Sequence, residues 1–174
     1  ETDLSAILDV SKALKYPGQV YTFEVRPEIE AMEVLGDPIA FRDVVATGEF
    51  FGTDAHVSIR GRVTAQADSQ CCRCLEPVSE TISAEIDALL SRQADPDDPD
   101  LYLFEGSKAD LTDAVREALL LELPYRFLCS DDCKGLCPSC GKNLNLGSCT
   151  CQEDAEAANP FSALKAIVQN NEEV

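Results

Sequence analysis

Two stretches of the chain alternate apolar and polar residues with period two. In the first, Val57, Ile59, Val63, Ala65 and Ala67 are set against Ser58, Arg60, Arg62, Thr64 and Gln66. In the second, Ile82, Ala84, Ile86, Ala88 and Leu90 are set against Ser83, Glu85 and Asp87. Successive side chains of a strand point to opposite faces, so each stretch predicts a half-buried strand. If the two pair antiparallel, residues 71–77 between them form the tip of a hairpin. Residues 20–25 alternate in the same way, with Tyr21, Phe23 and Val25 against Thr22 and Glu24. A turn is expected near Gly36-Asp37-Pro38, then a longer apolar strand over residues 39–51, closed by a hairpin turn at Gly52-Thr53-Asp54. Residues 4–17 fit either a helix, through Leu4, Ile7, Leu8, Ser11 and Leu14, or a short strand over 7–10; Pro17-Gly18 ends both.

Past the second alternating stretch the pattern changes. Asp95-Pro96-Asp97-Asp98-Pro99-Asp100 combines prolines with like charges and predicts an exposed acidic linker. It lacks the glycine and closing glutamate of a calcium-binding EF-hand loop. Leu111, Ala114, Val115, Ala118 and Leu119 then recur at helical spacing, with Asp110 as N-cap candidate and Pro124 as the stop. Residues 153–158 are polar. Asn159-Pro160 next supplies a cap and a first-turn proline for a short helix whose apolar face is Phe161, Leu164, Ile167 and Val168; residues 170–174 carry no packing signal. The expected fold class is α+β. Residues 1–124 are expected to form an antiparallel β-sheet or partly open barrel with a packed helix near its end. Residues 125–174 are expected to form a cysteine-rich zinc module with a short C-terminal helix.

The chemistry lies in the cysteines. There are nine, Cys71, Cys72 and Cys74 in one cluster and Cys129, Cys133, Cys137, Cys140, Cys149 and Cys151 in the other. Their close, paired spacing is that of metal sites rather than of a disulfide framework. Cys137-Pro138-Ser139-Cys140-Gly141 has the form of a zinc knuckle: the proline fixes entry to the turn, and the glycine allows a positive φ after the second ligand. Cys149 and Cys151 supply two more thiols nearby, giving a compact four-cysteine set. Cys71 and Cys74 with Cys129 and Cys133 then build a second set, with Cys72 as the surplus thiol, either a non-ligand facing away from Cys71 and Cys74 or a substitute for Cys71 in an imperfect site. Spacing leaves an exchange open, for example Cys133 beside Cys137 in one site. Two structural zinc ions are the expected cofactors.

Competing chemistries find little support. A redox CxxC needs a helix N-terminus to lower its thiol pKa, whereas Cys71 and Cys74 lie between strands. A Cys–His hydrolase needs an imidazole base, and the single histidine, His56, reads as a solvent-exposed turn residue. A closed four-thiolate zinc site has no open position for water. No phosphate loop or dinucleotide fingerprint occurs, so the expectation is no enzyme. No apolar run approaches the ~20 residues of a membrane span, and the first residues lack a basic-then-apolar signal pattern. The expected compartment is therefore cytoplasmic.

With these residues in hand, the chain resembles the YceD-like family of large ribosomal RNA subunit accumulation proteins. The resemblance lies in Cys71-Cys72-Arg73-Cys74-Leu75-Glu76-Pro77, in Leu121-Glu122-Leu123-Pro124, in CKGLCPSCGKNLN over residues 133–145, and in NPFSAL over residues 159–164. It implies a bacterial or plastid factor needed for accumulation of large-subunit ribosomal RNA, acting in ribosome assembly without enzymatic activity.

Charge shapes what such a factor would touch. The formal net charge is −18; taken alone, this reads as an aid to solubility. Over residues 125–151, Arg126, Lys134 and Lys142 against Asp131 and Asp132 leave a net +1, and each four-thiolate zinc centre would add about −2. No Lys/Arg stripe with interleaved aromatics appears. The expected partner is therefore a basic ribosomal protein or a large-subunit assembly intermediate, with no membrane and no small-molecule substrate. The alternative is direct contact with precursor ribosomal RNA through Arg60, Arg62, Arg73, Lys134 and Lys142.

Overall fold

A computed structural model describes residues 6–34, 36–53, 56–96 and 100–151. In chain order its elements are β1 (Ile7–Asp9), α1 (Ser11–Lys15), β2 (Val20–Val25), β3 (Met32–Val34), β4 (Asp37–Gly52), β5 (His56–Gln70), β6 (Pro77–Ser91), β7 (Tyr102–Leu103), β8 (Lys108–Asp110) and α2 (Thr112–Leu121). The structure is mostly β. Its main sheet has the order β2-β4-β5-β6-β7, with β3 pairing with β4 off that path, and the described pairings leave the path open. β1 and β8 form a separate antiparallel pair. All ladders are antiparallel except β6–β7.

The two alternating stretches become the centre of the sheet. β5 and β6 pair in register from His56↔Ser91 to Gln70↔Pro77, longer at both ends than the alternation alone marks. Along β6 the apolar set Ile82, Ala84, Ile86, Ala88 and Leu90 is buried. Along β5, Val57, Ile59, Val63, Ala65 and Ala67 face the same core, while Ser58, on the opposite face, is also buried. β4 keeps its apolar residues on the core side by changing parity. Ile39 and Phe41 are buried before the shift, and Val44, Ala46 and Phe50 after it. The register jumps between Arg42 and Val45, and Asp43 adopts φ 53°. This is a β-bulge: the extra residue returns the apolar side chains to the core face.

α2 packs against β5 and β6 and buries Ala114, Val115 and Leu119. Asp110 acts slightly upstream of the helix: its carboxylate accepts from the Thr112 amide at 2.9 Å and from the Thr112 hydroxyl at 2.6 Å. The helix ends at Leu121, ahead of the expected stop at Pro124. On the sheet, Arg42 holds Asp68 with two N–H donors, one of them at 2.8 Å. These bonds, with one from Ser79, draw the Asp68 carboxyl down to about 2.

Several expectations are corrected. Residues 6–16 form both a strand and a helix, because β1 finds a partner in the distant β8 while Asp9 accepts the Ser11 amide at 2.9 Å and turns the chain. β3, β7 and β8 are too short to leave a periodic signal. His56 is half-buried at the start of β5 rather than a solvent-exposed turn residue, and its Nδ1 is buried without a hydrogen-bond partner. In the acidic linker, Asp95, Pro96 and Asp100 are exposed as expected, while residues 97–99 lie outside the described set. The expected helix after Asn159-Pro160 also lies outside it, as do the polar stretch 153–158 and residues 170–174. Among the described residues no helix is long and apolar enough to cross a membrane.

The chain separates into two compact units. The first comprises the chain through Gln70 together with Pro77–Phe127. The second comprises Cys71–Glu76 and the chain from Leu128 onward, so it contains every cysteine.

Candidate metal centres

Each centre is built around a knuckle, and the two knuckles share one backbone pattern. In the first, the Cys71 N–H donates to the Glu76 carbonyl at 2.8 Å, and the Leu75 N–H donates to the Cys71 carbonyl at 2.9 Å. In the second, the Cys137 N–H donates to the Lys142 carbonyl at 2.8 Å, and the Gly141 N–H donates to the Cys137 carbonyl at 2.8 Å. The residue after the second cysteine has positive φ in both, 61° at Leu75 and 71° at Gly141. Glycine accepts that conformation freely, whereas a leucine held there costs about 1–2 kcal/mol. Because Leu75 is exposed, Leu75→Gly should lose little burial and relieve the strain. After the entropic cost of glycine is set against it, we expect a gain of about 0.5–1 kcal/mol in the second unit. Local opening free energies from amide exchange would measure it, and a loss in L75G would sink the strain argument.

Two groups of four cysteines each bring their Sγ atoms within 4.8 Å of one another: Cys71, Cys74, Cys129 and Cys133, and Cys137, Cys140, Cys149 and Cys151. In the first group the Cys71 and Cys133 sulfurs are 3.8 Å apart and those of Cys74 and Cys129 are 3.5 Å apart. A tetrahedral four-thiolate ion with bonds of ~2.3 Å places its sulfurs about 3.8 Å apart, whereas a disulfide requires ~2.05 Å. The donor set thus fits a metal ion. Cys133 and Cys137 fall in different groups, so the exchanged partition is not the one the fold assembles. Cys72 is exposed and belongs to neither group.

The thiols in each group divide by charge. At Cys71 burial pushes the thiol up, but the backbone amides of Cys129, Arg73 and Cys74 outweigh it and bring it to about 6. The amides of Cys140 and Ser139 bring Cys137 to about 6. Cys133 is lowered first by the side-chain amide of Asn145. Cys74 goes the other way: the Glu76 amide lowers it, yet burial and the neighbouring Cys129, Cys71 and Cys133 push it up to about 12. Cys151 is pushed up to about 12, first by Cys140 and then by burial. Cys129 is raised first by Cys133. Cys149 is raised by Cys137 against the pull of the Cys151 amide. Thiols this close compete for negative charge, and a cation among them removes the competition.

Residues that spacing alone did not single out complete the second unit. Arg73 Nη1 donates to the carbonyls of Asp131 and Cys133, both at 3.0 Å, tying the first knuckle to the segment that carries its other two thiols. The Leu136 N–H donates to the Arg73 carbonyl at 3.0 Å. That approach requires Gly135, with φ 74°, since a Cβ there would sit 2.9 Å from the Arg73 oxygen. Asn145 donates from Nδ2 to Cys133 Sγ at 3.3 Å, and its Oδ1 accepts the Lys134 amide at 2.8 Å. The Asn143-Leu144-Asn145 stretch after the second knuckle is the only trace of this role in the sequence.

The family described as large ribosomal RNA subunit accumulation protein YceD matches residues 59–168. An uncharacterized protein of Mycobacterium leprae is 31% identical over 94 residues, covering 51% of this chain and 43% of that protein. A maize protein named large ribosomal RNA subunit accumulation protein YCED homolog 1, chloroplastic, is 28% identical over 115 residues, covering 47% of this chain and 39% of that protein. Its Arabidopsis thaliana namesake is 31% identical over 70 residues, covering 39% and 22%. The chain thus spans less than half the length of these curated relatives. No solved structure matches it.

Proposed function

The chain belongs to the YceD family, and from that premise we propose that it supports accumulation of large-subunit ribosomal RNA as a non-enzymatic, zinc-stabilised assembly factor. Its partner is a basic ribosomal protein or a large-subunit assembly intermediate, and its effect on the RNA is indirect. Zinc is favoured by the two sets of four thiols, a donor type and number that suit this ion at a structural site. When bound, each ion supplies a cross-link among four thiolates and leaves no open position for a substrate. The chain's own residues do the rest: the knuckle amides face the sulfurs, and Arg73 and Asn145 hold the ligand-bearing segments in place.

The observation that carries the protein-partner reading is how the basic residues are used. Arg60 lies 3.6 Å from Asp87 and Arg62 lies 3.4 Å from Glu85, in directly opposed cross-strand pairs. Arg73 is engaged by two carbonyls, and Lys142 donates to the Ser148 carbonyl at 2.8 Å. Arg60 and Arg62 belong to the first unit, whereas Arg73, Lys134 and Lys142 belong to the second. On a chain of net charge −18, this supports an acidic surface that attracts a basic protein electrostatically over one that grips phosphate. Affinity capture from lysate treated with nuclease should retain the large-subunit partner. Loss of that partner on RNA digestion would instead favour direct recognition of precursor ribosomal RNA.

A further inference from the structure

The two candidate centres share a piece of backbone. Residues 133–145 fold back on themselves through the Leu136↔Asn143 bridge, with the Leu144 N–H donating to the Gly135 carbonyl at 2.9 Å. The tip of this small hairpin is the second knuckle, carrying Cys137 and Cys140. Its base carries Cys133, a ligand of the first centre, facing Asn145 on the returning strand. Asn145 therefore lies in the loop between Cys140 and Cys149 of the second centre yet donates to a sulfur of the first. The returning strand also reaches the first knuckle directly, since Asn143 Nδ2 donates to Glu76 Oε1 at 3.3 Å.

We propose that the two centres are coupled through Asn145, so that filling the second tightens metal binding at the first. The inference rests on the reading of both cysteine groups as metal sites. An ion clamping Cys137 and Cys140 fixes the hairpin tip and hence the register of its two strands. That register sets whether the Asn145 amide meets Cys133 Sγ. A hydrogen bond of this kind orients a metal ligand, and removing such a partner commonly lowers metal affinity about 10–100-fold. Thermodynamic reciprocity then makes the first centre strengthen the second by the same factor. Exposure sets the order of loss. Cys71, Cys74 and Cys133 are buried in the first centre, whereas only Cys137 is buried in the second. A chelator therefore strips the second centre first, and the first follows because Asn145 has lost its place.

Asn145 is a positioning residue, and a double-mutant cycle on the full chain tests it. Zinc is titrated in competition with a chromogenic chelator, ions are counted by native mass spectrometry, and alkylation of Cys71 and Cys74 is mapped as a readout of the first centre. Wild type should bind two ions. Asn145→Ala should still bind two, with first-centre affinity reduced about 10–100-fold. Cys140→Ser should bind one ion at saturation, with first-centre affinity reduced at least as far, and the double variant should be no weaker than Cys140→Ser. Asn145→Ala leaves every ligand in place, so it remains informative if Cys140→Ser fails to fold. A wild type that binds no metal overturns the reading of the centres themselves. Two bound ions with first-centre affinity unchanged in Asn145→Ala, or fully additive losses in the double variant, overturn the coupling while leaving the centres standing.

Discussion

Stripping metal from both centres under reducing conditions should unfold the second unit and leave the sheet of the first intact. The described residues of the second unit offer almost nothing else to fold around. Among its described residues the buried ones are Cys71, Cys74, Cys133, Gly135 and Cys137, and none of those described joins the apolar core cluster. With so little apolar burial among those residues, metal–thiolate bonds, worth about 10–16 kcal/mol per structural zinc ion in small zinc domains, would be the main term offsetting its ordering entropy. The first unit keeps its own core, from Val10 and Val57 through Ile59 and Leu90 to Leu119. Amide exchange should therefore lose protection over residues 128–151 on chelation while β5 and β6 keep theirs. Persistent protection in the second unit after verified metal removal would refute the dependence. Acid should act in the same direction. Cys71 and Cys137 sit at about 6, below the ordinary thiol value of 9.0. In the metal-free fold their thiolate form thus contributes stability that is fully present above that ordinary value and is lost as pH falls through about 6; a bound ion, competing with protons for the same sulfurs, moves that loss to lower pH.

Gly48→Val should be severely damaging to the first unit. Gly48 and Gly61 face each other directly in the β4–β5 ladder. A Cβ on Gly48 would overlap the Arg60 carbonyl oxygen and come near the Gly61 Cα; one on Gly61 would overlap the Thr47 carbonyl oxygen. Both obstacles are backbone, so relief requires the two strands to separate at the centre of the sheet. The expected loss is about 4 kcal/mol or more, enough to unfold a domain of ordinary stability, with Gly48→Ala milder but still severe. Gly106→Ala is the contrasting case. It has φ 64° and open space around it, so only the backbone conformation is penalised, at about 1 kcal/mol. Urea midpoints of the three variants would rank them, and a Gly48→Ala protein within ~1 kcal/mol of wild type would contradict the close strand approach.

The legible part of the fold was the part whose physics is local. Alternation in β5 and β6 and the spacing from Leu111 to Leu119 follow from strand and helix geometry acting on neighbouring residues. The bulge at Asp43 was not legible, because a parity change inside an apolar run looks the same as a uniformly buried strand. β3, β7 and β8 were silent for a related reason: two or three residues carry no period, and their strand form comes from a distant partner. His56 was misplaced because its burial depends on what covers the start of β5.

The candidate centres divide along the same line. By itself the sequence determined the two knuckles, since CxxC spacing brings two sulfurs to one turn through short-range geometry, with Gly141 in place for the positive φ of the second. It also showed one thiol too many for two sets of four, and the fold leaves Cys72 outside both groups. Only the tertiary structure decided which thiols complete each set: Cys133 meets Cys71 across 62 residues of chain, a closure secured by the Arg73 guanidinium, the Gly135 approach and the Asn145 amide. Spacing cannot specify such a meeting, because bringing distant segments together depends on every backbone group between them finding its partner, and that is a property of the whole fold.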